Sequence, residues 1–333
     1  GLGDVYKRQT GEAVASNAFG REIARSTDHT AVIQAAVDNA PDGGAVFIDR
    51  GVYNMTYKKS IQWYDSYGNL QTSQPFRVAV EVNKALVIHS NGAILRLGNN
   101  QNSVILYAHD YSFLEIEGLV FDGNKANNTK LSINSSPPPY WTPFDGYAML
   151  LLGGCEPTAT GTVCFRYNTR LRNLRFINSP GWSLYTGNHT VKSTQKGVGS
   201  DWGLMASDIY DYGSVGGLMV DNCVKCLINN VKIYGVESFN GLWVIGQQDN
   251  PSDPTTAWYL YNEFNNIHIE NTAGWGIYIY PNGYNVFNNV FIRNGRGIYN
   301  EGPANQFRNV TFAGFKDSRF TEDPTVKSDE SLV

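Results

Sequence analysis

Charge is scarce in this sequence. Only 17% of its 333 residues are Asp, Glu, Lys or Arg, and the net charge is −4. No basic surface of the kind that nucleic-acid backbones require can be built from that balance. Long apolar runs are missing too. None reaches the roughly 18 residues that a membrane-spanning helix needs. Cysteine and methionine number four each. Cys223-Val-Lys-Cys226 has no second Cys pair or His pair to accompany it, so a packed or locally bridged pair is the better reading than zinc or redox chemistry. Cys155 and Cys164 bracket a Gly/Thr/Pro loop and are expected to close it as a disulfide. Bridged cysteines lean towards an extracellular, secreted location, although no signal peptide is visible. The first nine residues, Gly1-Leu-Gly-Asp-Val-Tyr-Lys-Arg-Gln9, resemble translated sequencing adapter of the kind found at the ends of environmental assemblies. Residues 1–9 are therefore set apart as a non-native segment, with the natural N-terminus and any secretion signal expected to be missing.

Aromatic residues, by contrast, make up 13%, with 20 Tyr and 7 Trp. Tyr and Trp bind flat ligands while keeping a polar edge wet, so much of this excess is expected on the outside. Asparagine is patterned. The phrase apolar, any, Asn, apolar, any, apolar occurs at Leu171-Arg-Asn173-Leu174-Arg-Phe176 and Ile228-Asn-Asn230-Val231-Lys-Ile233. It returns at Phe264–Ile269, Phe287–Ile292 and Phe307–Phe312, centred on Asn266, Asn289 and Asn309. Ile116-Glu-Gly118-Leu119-Val-Phe121 is a variant with Gly in the Asn position. Asn and Gly enter the left-handed backbone region cheaply, so this position predicts a one-residue bend between two short strands. Bends 23 residues apart (266 to 289) and 20 apart (289 to 309) predict a solenoid. The Asn amides of successive coils are expected to hydrogen-bond along the stack, which is a structural role.

Before the repeats, residues 26–53 read as an N-terminal cap. Ser26-Thr27-Asp28 supplies helix N-cap chemistry, Ala31, Ile33, Ala36, Val37 and Ala40 form an apolar stripe, and Pro41-Asp-Gly-Gly44 stops the helix. Ala45–Ile48 is then a first strand, followed by a turn at Gly51. Asp28-His-Thr-Ala-Val-Ile-Gln-Ala-Ala-Val-Asp38, with Gly43-Gly-Ala-Val46 and Gly51-Val-Tyr53, resembles the opening of the pectate-lyase-like superfamily, which includes polysaccharide lyases, polygalacturonase-like hydrolases and phage tailspikes. Asp49 stands where that superfamily usually has Pro. The opening covers about 26 residues, and the coil pattern extends the resemblance to roughly residue 315. It implies an all-β fold, a right-handed parallel β-helix with a short capping helix, as one domain over residues 10–318 and a polar tail over 319–333. A third strand per coil is expected at 147–152, 182–185, 242–245, 277–280 and 298–299, with Leu242, Val244, Ile277, Ile279 and Ile298 inward. Insertions at 122–145, 187–220 and 247–261 interrupt the rhythm beside this third strand and are expected to wall a groove there.

Outward positions on the third strand put Trp243, Tyr278 and Tyr299 one per coil, with Tyr185 continuing the row and Tyr280 beside it. Rings at about 4.8 Å spacing form a platform for pyranose faces. Near the strand ends stand Asp145, His189, Asp249 and Glu301, the candidate catalytic residues. Hydrolysis needs two carboxylates flanking the glycosidic bond; β-elimination needs a base at the sugar C5 and a group to stabilise the resulting carbanion. Residues 201–212, with Asp201, Trp202, Asp208, Tyr210, Asp211 and Tyr212, are expected to overhang the groove. Asp145-Gly-Tyr and Gly181-Trp-Ser-Leu are similar to polygalacturonase motifs, but the His is missing, as are Asn-Thr-Asp and Arg-Ile-Lys. The Trp-Ile-Asp-His and Arg-x-Pro-x-x-Arg phrases of the best-known pectate lyases are missing as well. Asp249-Asn-Pro-Ser-Asp253 offers oxygen ligands suited to calcium but not a full set, so no cofactor or metal is expected. The expected partner is a polysaccharide or cell-surface glycan, bound by a monomer or homotrimer and cut by hydrolysis or elimination. The alternative is a non-catalytic glycan-binding or adhesive β-helix.

Overall fold

The computed structural model describes residues 2–7, 11–64, 70–131, 148–152, 166–186, 201–221, 223–245, 261–280, 283–302 and 304–314. Their strands form a fifteen-stranded sheet, a nine-stranded sheet and a short three-stranded one. Each coil of the C-terminal half gives one bent strand to the first sheet and one straight strand to the second. Glu263–Glu270 with Ile277–Tyr280 is one such coil, and Val286–Arg293 with Ile298–Asn300 is the next. The strands pair in parallel and in register, Phe264 beside Phe287 beside Phe307 and Ile277 beside Ile298. The architecture is a parallel β-helix.

The sequence phrase sets the bend. Asn173, Asn230, Asn266, Asn289 and Asn309 have φ between 48° and 57°, and Gly118 has φ 75°. Their amides form a column. Asn309 Nδ2 donates to Asn289 Oδ1 at 3.0 Å, and Asn289 donates to Asn266 at 3.1 Å. The column then steps sideways, because Asn266 donates to Asn229 (2.8 Å), while Asn230 donates to Asp208 (2.6 Å). Each such bond contributes about 1 kcal/mol net.

Alternation does the rest. Leu106, Leu150, Leu184, Leu218, Leu242, Ile277 and Ile298 stack in one inward row and are at most 2% exposed. Val244 and Ile279 are fully buried beside them. Phe264, Phe287 and Phe307 stack nearly parallel inside, with centroids 4.6 and 5.0 Å apart. One apolar cluster runs from Val5 to Phe307. Burying each such side chain is worth about 2 kcal/mol, and this contact holds successive coils together.

The N-terminal cap is as expected: helix His29–Asn39 begins at Asp28, whose Oδ1 accepts from Ala31 N at 3.2 Å, and it buries Val32, Ile33, Ala36 and Val37. Three readings are corrected. Leu2–Lys7, set apart from the fold, is a strand; it pairs in parallel with Gly44–Ile48 and antiparallel with Ala13–Ser16, and Val5 is fully buried. An open sheet edge accepts any extended segment that can bury one face. Residues 187–220 are not an insertion throughout. Met205–Tyr212 and Leu218–Asp221 make a complete coil, with Asp208 (φ 59°) at the bend. Asp208, Tyr210, Asp211 and Tyr212 therefore belong to the stack and do not overhang a groove. The third correction concerns Tyr185, which is fully buried. Cys223 and Cys226 are bridged locally. Cys155 and Cys164 lie outside the described residues.

Candidate functional site

The nine-stranded sheet carries its outward row in the order Tyr107, Leu151, Tyr185, Met219, Trp243, Tyr278, Tyr299, each in register with the next. The row divides into two stretches. From Tyr107 to Met219 it is buried under a second apolar cluster that includes Trp182, Val215, Phe239 and Ile245. From Trp243 onward it opens: Trp243, Tyr278 and Tyr299 are half-buried, and Tyr280 is 42% exposed. Tyr185 fails to join the open stretch because it is fully buried in that cluster, where its Oη donates to Asp221 Oδ2 at 3.1 Å. Met219 then occupies the next coil, so the accessible row is three coils long.

Ring orientation decides what this strip shows a ligand. Tyr278 and Tyr299 lie face to face, 4.7 Å apart and 12° from parallel, so each covers a face of the other. Trp243 meets Tyr278 nearly at right angles (5.1 Å, 76°) and leans on Trp182 (5.4 Å). Trp243 Nε1 is buried with no hydrogen-bond partner among the described residues. The parallel pair Tyr278 and Tyr299 offers edges and phenol groups, and Tyr280 is tilted 39° from Tyr278.

Glu301 follows the last of these strands, its backbone N–H donating to Ile279 O at 3.0 Å. Burial raises its carboxyl above the ordinary value. Tyr278 is pushed up to about 12, first by burial and then by the negative charges of Glu301 and Tyr280. Both shifts are towards the protonated form, the direction a proton donor needs.

Sequence reading missed a second titratable group at the other end of the same sheet. His109, 1% exposed, stacks on Tyr107 (4.7 Å) and bridges two acids, with Nε2 2.8 Å from Glu81 Oε1 and Nδ1 2.9 Å from Asp110 Oδ2. Burial pulls its pKa down, but the hydrogen bonds to Glu81 and Asp110 outweigh that and hold it above the ordinary value. The hydrogen bond from His109 holds Glu81 low, helped by Lys59 Nζ at 2.8 Å. No repeat phrase covers this coil, which is why the pattern gave no hint of it.

Asp145, His189 and Asp249 lie outside the described residues, as does the Asp249–Asp253 stretch weighed for calcium. Among the described residues, the trio with donor atoms near enough for a metal is His89, Glu115 and Glu117, on the outer surface of the long sheet, not on the ring row. His89 Nε2 already sits 3.0 Å from Glu115 and 3.5 Å from Glu117. A cavity of about 590 Å³, lined by Arg50, Gly92, Gly118, Asn173 and Arg175, follows the bends of the first coils. It too is separate from the rings. No helix among the described residues is long and apolar enough to cross a membrane.

No protein-family model matches this chain, and no curated protein does. Among solved structures, it is similar to the A-module of Azotobacter vinelandii mannuronan C-5 epimerase AlgE6, at 12% identity and TM-score 0.49, covering 85% of this chain and 75% of that one. The AlgE4 A-module of the same organism matches at 11% identity and TM-score 0.36, over 86% and 91%. ORF18 of Geobacillus virus E2 matches at 12% and 0.36, over 86% of this chain and 59% of the viral one. Identities this low speak to fold alone, and the fold rests on the strand pairing described above.

Proposed function

We propose that this chain binds a polysaccharide along the open stretch of the nine-stranded sheet and cleaves it there, with Glu301 as the proton donor. The observation that supports this reading is the in-register row of half-exposed rings, Trp243, Tyr278 and Tyr299, on consecutive coils of a rigid sheet. Coils repeat at about 4.8 Å, so ring edges and phenols recur along the sheet at a spacing that a chain of sugars can follow with hydroxyl contacts and C–H contacts. Glu301 adds a carboxyl biased towards its protonated form, which a general acid for glycosidic cleavage needs. It would protonate the leaving oxygen while water adds to the anomeric carbon. Asp145, Asp249 and His189 are the candidates for the companion base.

The test is incubation with a panel of neutral and acidic polysaccharides, following reducing ends for hydrolysis and the ultraviolet absorbance of unsaturated uronates for elimination. Glu301→Gln is expected to abolish turnover while retaining binding in an affinity gel. Trp243→Ala is expected to weaken retention with little change in melting temperature. Wild-type turnover in Glu301→Gln would remove Glu301 from the mechanism. Retention of a glycan by the wild type with no cleavage of any member of the panel would leave the second reading, an adhesive or glycan-binding β-helix.

A further inference from the structure

A column of strained residues bounds the ring-bearing sheet. At the corner that leads from each third strand into the next bent strand, the chain passes through a residue with positive φ: Gly203 (70°), Lys225 (53°), Tyr261 (54°), Tyr284 (63°) and Ala304 (52°). Glycine fits this backbone freely and Asn nearly so, but a bulky side chain is strained there. Tyrosine occupies it on two neighbouring coils. Both rings are exposed, Tyr261 at 54% and Tyr284 at 36%.

The corner is held rigidly from below. Asn262, Asn285 and Asn305, each one residue after the strained position, are at most 5% exposed and run up the stack. Asn285 Nδ2 donates to Asn305 Oδ1 at 2.8 Å, and the backbone N–H groups of Asn285, Asn262 and Cys226 donate to the amide oxygen of the coil above at 2.9, 3.3 and 2.9 Å. Asn305 Nδ2 also donates to Asn300 Oδ1 at 2.8 Å, tying this column to the strand end beside Glu301. Strain that neighbouring structure over-determines in this way is a mark of function.

We infer that Tyr261 and Tyr284 form a second sugar subsite, a tilted aromatic pair that takes a pyranose ring of the polysaccharide where it leaves the ring row. The inference rests on the glycan-binding reading above. Tyr284 follows the exposed Tyr280 by four residues, and Tyr261 ends the stretch 247–261. Unlike Tyr278 and Tyr299, the two rings are not parallel; they touch at 5.4 Å and 47°, so the pair presents differently directed, partly exposed surfaces instead of a closed stack. An apolar sugar face fits against such a ring while the phenol edges stay in water.

Affinity electrophoresis and thermal unfolding of Tyr261→Asn, Tyr284→Asn and the double variant test this, with the polysaccharide panel as probe. Each substitution relieves strain, so the unfolding midpoint is expected to hold or rise while affinity for the retained glycan falls about fivefold per ring. Tyr→Phe at both sites is expected to bind nearly as the wild type does. Wild-type retention by the double variant, on a glycan that Trp243→Ala no longer retains, would overturn this subsite alone. A falling midpoint with lost binding would also overturn it, by making the rings structural. A wild type that retains no glycan at all would overturn both readings.

Discussion

Asp211 is the residue whose position in the pattern conflicts most with its chemistry. In register it lies between Phe176 and Ile233, in a row that faces the core, and it is fully buried. Ser183 Oγ donates to its Oδ1 at 2.8 Å, Ser214 donates to the same oxygen, and Oδ2 has no partner among the described residues. Burial drives its pKa from 3.8 up to about 7 despite those bonds and the charge of Lys125. A carboxyl that binds its proton more tightly folded than unfolded stabilises the fold fully below pH 3.8, and that contribution is lost as pH rises through about 7. Stability should thus decline across this window, by at most on the order of 4 kcal/mol from this group. Asp211→Asn keeps the shape without the charge. Its unfolding midpoint is expected to exceed that of the wild type at pH 8 and to match it near pH 4, as read by denaturant titration at both values. A constant gap between the two proteins would mean that Asp211 does not titrate in this range.

At the scale of the bend, Asn and Gly turn out not to be interchangeable. A Cβ on Gly118 would lie 2.0 Å from Ser90 O, a backbone atom that cannot move aside alone. Gly118→Asn, which restores the common phrase, should therefore destabilise by roughly 3 kcal/mol or more. Asn289 presents the opposite case, with an exposed amide that donates to Asn266 and accepts from Asn309. Asn289→Gly loses those two bonds, about 2 kcal/mol together, whereas Asn289→Ala also takes on left-handed strain of about 1–2 kcal/mol. Urea midpoints ordered wild type, Asn289→Gly, Asn289→Ala, with Gly118→Asn below Asn289→Gly, would bear this out. Equal losses at Asn289 for Gly and Ala would show that the backbone there carries no strain.

For the whole molecule, the exposed end of a stack is the point of risk, because an unpaired coil is a template for another chain. Helix His29–Asn39 covers one end, with Val32 and Ile33 in the same cluster as Tyr53, Met55 and Val80. Val32→Asp places an unpaired charge in that contact and should undock the helix, so that size-exclusion chromatography with light scattering finds higher oligomers; a monodisperse variant of unchanged size would show that the helix is not needed as a plug. The coils themselves are readable from sequence, because the left-handed bend inside each long strand is filled by Asn, Gly or Asp, which enter that region cheaply, and so leaves a mark at coil spacing. Where Asp208 replaced Asn and Asp211 replaced an apolar residue, the mark vanished and a coil was taken for a loop. Which outward rings a ligand can reach was not written locally. Tyr185 and Trp243 occupy equivalent strand positions, yet one is fully buried in the second apolar cluster and the other is only half-buried at its margin. Sequence thus determined the winding of this chain, since bend and alternation are properties of neighbouring residues. The tertiary structure alone decided burial and proton affinity on its faces, since these depend on side chains from coils far apart along the chain.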